Sequence, residues 1–133
     1  FERIKGDTVV PYIHSGSKLG VLIALNGGSG DLAGLGKDLA MQIAALNPIA
    51  VDRSGVDEQT LESELRIGRE KALAEGKPEN IIDKIAEGTV NRFLKDNTLL
   101  GQAFVKDSSK TVENLLKEFG NAQVASFKRI TIG

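Results

Sequence analysis

The sequence predicts an α+β fold: a small antiparallel sheet, built from an opening hairpin and a C-terminal strand, packed with helices and carrying a projecting antiparallel helical hairpin of coiled-coil type. Three observations carry this. Strand patterns stand near the two ends, in "TVVPYIHSGSKLGVLIAL" and "QVASFKRITI". Apolar residues spaced by three and four fill the region between them. The stretch "EGKPEN" (75–80) punctuates two charged helices with a stop and a start. Strands at the ends with helices between make an α+β domain. The chain divides into a core subdomain, 1–55 and 97–133, and an inserted helical hairpin, 56–96.

Taken in order, Thr8 to His14 is rich in β-formers, and Pro11 confines it to a sheet edge or a bulge. "SGSK" (15–18) has turn chemistry. "LGVLIAL" (19–25) is a continuous apolar run, which predicts a central strand covered on both faces. Asp31 can cap a helix in which Leu32, Leu35, Leu39, Ile43 and Leu46 share a face with Ala40 and Ala44. Asn47-Pro48 ends it. Asp57 caps a second helix running to about Glu75, where Leu61, Leu65, Gly68 and Ala72 form a narrow seam of coiled-coil type. Gly76 closes it and Pro78 opens a third helix, with Ile81, Ile82, Ile85, Thr89 and Phe93 on its buried side. "LLGQAFV" (99–105) reads as irregular, apolar and exposed. "DSSKTVENLLKEFG" (107–120) reads as a short helix with a Ser or Thr cap, Val112, Leu115, Leu116 and Phe119 inward and Gly120 as terminator. The final "QVASFKRITI" alternates, as a last strand returning to the opening hairpin does.

Composition narrows the function. With 133 residues, 41% hydrophobic and 26% charged, the chain has the profile of a soluble domain with a real core. A net charge of −1 gives no field that draws nucleic acid. The absence of cysteine removes disulfides, thiolate metal sites and cysteine nucleophiles. No apolar run approaches the ~18 residues that span a bilayer. Beginning at Phe1 without an initiator methionine or a signal layout, the chain reads as a piece of a longer protein.

One motif invites an enzymatic or cofactor reading. "GSGDLA" (28–33) fits G-x-G-x-x-A, and Asp52 lies at roughly the distance, about twenty residues, at which dinucleotide folds place a ribose-binding acid. The context opposes it: a charged helical hairpin follows where a βαβ unit requires a parallel strand. The single histidine, His14, supports neither a metal site nor a Ser-His-Asp arrangement. Carboxylate pairs such as Glu62 and Glu64 sit on a solvated helix face, without the cleft that tunes a general acid or base. The residues read as a binding module for a protein partner, with no catalytic residue, cofactor or metal.

"YIHSGSKLGVLIALNG", "DLAMQIAALNP", "EGKPENIIDKIAEGTVNRFLKDNTLLGQAFVKDSSKTVENLLKE" and "FKRITIG" together resemble translation elongation factor Ts, in order and over nearly the whole chain. The resemblance implies a guanine nucleotide exchange factor that binds elongation factor Tu and releases its GDP without bond chemistry. It aligns the chain with the C-terminal part of the family's core and its coiled-coil insertion. The family's Thr-Asp-Phe-Val motif has no counterpart here. His14 matches the family's histidine at the Tu contact. Phe104, Val105 and Lys106 match a segment near the same surface, where Phe104 serves core or contact equally. Tyr12 reads first as packing. The resemblance implies a cytoplasmic setting, bacterial or organellar, with no direct nucleic acid or membrane contact. A self-associating module, a homodimer through the helical hairpin, is the competing reading.

Overall fold

The computed structural model describes residues 5–13 and 19–131. Strand β1 (Thr8–Ile13) pairs antiparallel with β2 (Leu19–Asn26), and β2 pairs antiparallel with β5 (Gln123–Thr131), so the sheet order is β1-β2-β5. Between β2 and β5 lie α1 (Leu32–Leu46), a 3₁₀ turn (Arg53–Gly55), α2 (Glu58–Ala74), α3 (Glu79–Asn97), the short strands β3 (Ala103–Phe104) and β4 (Asp107–Thr111), and α4 (Val112–Glu118). The α+β class and the return of the last strand to the opening pair follow the sequence reading. Pro11, opposite Leu22, lies on an edge strand, where its missing N–H costs no ladder bond to a further strand.

The apolar run of β2 is central in the sheet, but its two faces differ. Val21, Ile23 and Leu25 point into the main core, together with Leu35, Leu39 and Ile43 of α1. Ile23, Leu25, Leu39 and Ile43 are completely buried. Val10 and Tyr12, opposite Ile23 and Val21, pack on the same side. The other face carries half-buried Leu22 and exposed Val9, Ile13 and Ile130, so the expectation of cover on both faces holds for one of them. Ala24 on that second face is fully buried because the chain at Gly6 lies against it.

Helix α1 sits close on β1. A Cβ at Gly36 would fall 2.5 Å from Val10 Cγ2, a distance no side-chain carbon tolerates, so glycine sets this approach. Asp31 caps α1 as its sequence position predicts, its carboxylate accepting from Gly34 N at 3.0 Å. Asn47 closes the helix in the left-handed conformation, φ 47°. Leu46, read as inward, is exposed, since the chain turns away there.

The glycine-rich corner is occupied by the protein itself. Gly28 has φ 84°, and Ser29 N donates to Phe119 O at 2.8 Å, tying the loop to the end of α4. Gly27 N donates to Asp7 Oδ2 at 2.9 Å. The acidic cap at Asp31 stands at the helix N-terminus where a phosphate would need to sit. With an antiparallel sheet around it, this is a strand-to-helix corner and not a dinucleotide cradle.

Helices α2 and α3 make their contacts chiefly with each other. Asp57 caps α2, accepting from Gln59 N at 3.0 Å, and Gly76 follows it with φ 73°. Gly68 lies against Thr89 and the Ala86 backbone, and Ala72, Ile82, Ala86 and Val90 are buried. Arg69 of α2 forms an ion pair with Asp83 of α3.

Two expectations are corrected. The segment 99–105 is turn-rich as expected apart from the two-residue strand Ala103–Phe104, but it is not broadly exposed: Leu99 is fully buried and Phe104 is buried. "DSSK" belongs to strand β4 and not to the last helix, which starts at Val112 with Thr111 accepting from Asn114 N at 3.2 Å. The expected β1 end at His14 and the turn at 15–18 lie outside the described residues.

Candidate functional site

The described residues among those singled out by sequence fall around α1. Asp38 and Gln42 are four apart and so share one face of that helix. Gln42 is completely buried, and every polar atom of its side chain is used. Its Nε2 donates to Ala103 O at 2.9 Å and to Gln102 Oε1 at 3.3 Å. Its Oε1 accepts from Val105 N at 3.0 Å. One side chain of α1 thus clasps three groups of the segment 102–105, one side-chain oxygen, one backbone carbonyl and one backbone N–H. A buried primary amide that satisfies both its ends fixes geometry, because any displacement leaves a polar atom unpaired.

Asp38 adds a second tie, accepting from Lys106 Nζ at 2.9 Å. Val105 and Lys106 form the two-residue link between β3 and β4, with Phe104 paired to Asp107. Phe104 points into the core with 6% exposure, while Val105 is 47% exposed. The result is a tight tip whose apolar root is buried and whose Val105 faces solvent on a rigid mount. The far end of the hairpin is anchored as well, by Val112 N donating to Gln102 O at 3.0 Å and by Gln102 Nε2 donating to Asp96 O at 3.2 Å.

The adjoining strand carries the perturbed ionisable groups. Hydrogen bonds from the Ser109 hydroxyl and backbone N–H hold the Asp107 carboxyl below its ordinary range, with Lys110 adding to the effect. The Glu118 carboxylate, hydrogen-bonded to Lys110 Nζ at 2.8 Å, raises that lysine. Asp107 is exposed and Lys110 half-buried at the surface, so these are surface ion-pair effects and not the tuning of a buried catalytic group. Among the described residues no cluster of histidine, cysteine or carboxylates could hold a metal ion. No described helix is long and apolar enough to cross a membrane.

The structure therefore brings Phe104, Val105 and Lys106 together on one hairpin fastened to α1. Tyr12 is half-buried on β1 and packs against the same core cluster as Phe104. His14 lies outside the described residues. Sequence reasoning missed Asp38 and Gln42. The available signal was Gln42 itself, a polar residue three after Leu39 and one before Ile43 in an otherwise apolar stripe.

A family model described as Elongation factor TS matches residues 1–133. Elongation factor Ts of Amoebophilus asiaticus (strain 5a2) is 51% identical over 135 residues, covering all of this chain and 49% of that protein. Elongation factor Ts of Azoarcus sp. (strain BH72) is 54% identical over 134 residues, again covering the whole chain and 44% of the relative. The corresponding protein of Cytophaga hutchinsonii is 51% identical over 134 residues and is covered to 48%. The chain spans about half the length of the curated relatives it matches. Identity at this level, running end to end through the clasp between α1 and the β3–β4 hairpin, places the chain in the elongation factor Ts family.

Proposed function

We propose that this chain binds elongation factor Tu and forms the anchoring half of a guanine nucleotide exchange factor, with no covalent chemistry of its own. The observation that carries the reading is the family match over all 133 residues. The mechanism is linkage. A factor that binds nucleotide-free Tu more tightly than Tu·GDP weakens GDP by the same factor. What this chain brings to that task is a preorganised surface, Val105 and Lys106 on a tip held by Gln42 and Asp38, with Tyr12 of β1 and the sequence-matched His14 as the second contact. A tip that is already ordered loses little entropy on docking.

Residues 1–55 and 97–133 act as the core in this reading, and 56–96 as an inserted helical unit, which the mainly mutual contacts of α2 and α3 support. The setting is the cytoplasm. Because the chain spans about half of its relatives, it supplies part of a standard interface of roughly 800 Å² per partner. Its binding to Tu is weak and its acceleration of GDP release small.

The test is release of a fluorescent GDP from Tu, together with direct binding of Tu, using this 133-residue chain. Measurable binding with slow exchange is the expected result. Binding weakened by His14→Ala or Val105→Asp, with the circular dichroism spectrum unchanged, assigns the contact. No binding to Tu at any nucleotide state would overturn the reading. The competing reading, self-association through α2 and α3, is favoured by exposed Ile67 and Leu73, and sedimentation across a concentration range separates the two.

A further inference from the structure

A groove of about 500 Å³ runs between the start of α2 and the second half of α3. On α2 it is lined by Glu58, Leu61, Glu62 and Leu65, residues spaced by three and four and therefore on one face of the helix. On α3 Glu87 and Val90 face the same space. Val90 is buried, while Leu61 and Leu65 are half-buried, so the floor is apolar and partly open to water. Three carboxylates rim that floor against one cation, Arg53. Among the described residues no ion pair reaches Glu58, Glu62 or Glu87, although Asp38, Asp83 and Glu118 elsewhere on the helices are each paired. Like charges four apart on a helix, as Glu58 and Glu62 are, weaken it by a few tenths of a kcal/mol.

We propose that this groove docks a cationic amphipathic helix presented by a protein partner. Charge complementarity selects that occupant. An apolar strip flanked on both sides by carboxylates fits a helix whose apolar face is bordered by lysine or arginine, the helix-in-groove mode of recognition. Nucleic acid is opposed by the same carboxylates. A second copy docking groove to groove is opposed too, because a two-fold contact sets each acidic rim against its own image. This surface shares no residue with the tip proposed to meet Tu.

The probe is a fluorescein-labelled leucine-lysine peptide of about fourteen residues, roughly four helical turns, whose leucines share one face. Anisotropy titration against the full chain is expected to give saturable binding that weakens as salt rises. The double variant Glu62→Lys, Glu87→Lys is expected to weaken it at least about tenfold. Reversal at the joint between the helices, Glu75→Lys with Glu79→Lys, is expected to change it less than about twofold. A peptide of the same composition with its leucines scattered around the helix is expected to bind at least about tenfold more weakly. Absence of binding overturns the proposal. So does equal binding of the scattered peptide, or an equal loss in the joint variant, since either reduces the effect to diffuse charge. Concentration-dependent mass in sedimentation, abolished by the Glu62→Lys, Glu87→Lys variant, would assign the groove to a second copy instead.

Discussion

The side chain of Gln42 sets the shape of the candidate site. Leucine at this position fills similar space but leaves the Ala103 carbonyl and the Val105 N–H without their partner. Gln42→Leu is expected to lower stability by about 1–3 kcal/mol, read as a lower urea midpoint. It is also expected to weaken Tu binding beyond what the fold loses, because the tip is no longer fixed. The Lys106–Asp38 pair is half-exposed, so Lys106→Ala alone is expected to change stability by less than about 1 kcal/mol. A residue-scale pH effect accompanies the hairpin. The Asp107 carboxyl titrates below its ordinary 3.8 because Ser109 donates to it. Its stabilising contribution is therefore complete above 3.8 and fades as pH falls through the lower, folded value. Carboxyl NMR titration is expected to find that depressed midpoint, and Ser109→Ala is expected to move it upward. Lys110 runs the opposite way: its raised value gives a contribution that is complete below 10.5 and fades as pH rises through the folded value.

At the scale of elements, the two glycines of the α2–α3 pair predict opposite outcomes. A Cβ at Gly68 would meet Thr89 Oγ1 at 2.8 Å and the Ala86 Cα at 3.0 Å, so Gly68→Ala must push the helices apart. Gly88 faces open space, with nothing within 4 Å of a Cβ there. Gly88→Ala is expected to raise helix stability by up to about 1 kcal/mol, the intrinsic cost of glycine in a helix. Gly68→Ala is expected to lower it despite the same propensity gain. Thermal unfolding followed by circular dichroism checks both, and equal signs would show that helix separation does not limit stability. The elements most legible in the sequence share a physical trait: their signals are local. Asp31 and Asp57 announce helix starts through side chains that reach their own first turns, and Pro11 announces an edge through a missing donor. The β3–β4 hairpin was illegible for the converse reason. "DSSK" is poor in β-formers, and what fastens the preceding 103–105 in place is Gln42, some sixty residues earlier in the chain. The exposed tip could be suspected from the resemblance alone, while its clasp required the fold.

Across the whole molecule, burial is divided unevenly, and stability follows burial. The sheet, α1 and α4 share a single apolar cluster whose members include Ile23, Leu39, Ile43, Leu99 and Val112, all fully buried. Helices α2 and α3 bury mainly small residues, Gly68, Ala72 and Ala86, with Ile82 and Val90, and they do so chiefly against each other. Small residues remove little apolar area from water, at roughly 25 cal/mol per Å². The narrow seam visible in the sequence as Leu61, Leu65, Gly68 and Ala72 therefore foretells a weakly buried helix pair. Local opening of that unit need not disturb the main cluster. Hydrogen exchange at the level of single amides is expected to show Ala86 and Val90 opening at a lower free energy than Ile23 and Ile43. Gln42→Leu is expected to lower protection in α1 and leave α2 and α3 unchanged, since its bonds reach 102–105 and stop there. Equal protection in both regions, moving together in the variant, would instead make the chain one cooperative unit. A helical pair that opens on its own keeps its groove adjustable for a docking helix while the tip proposed to meet Tu stays fixed.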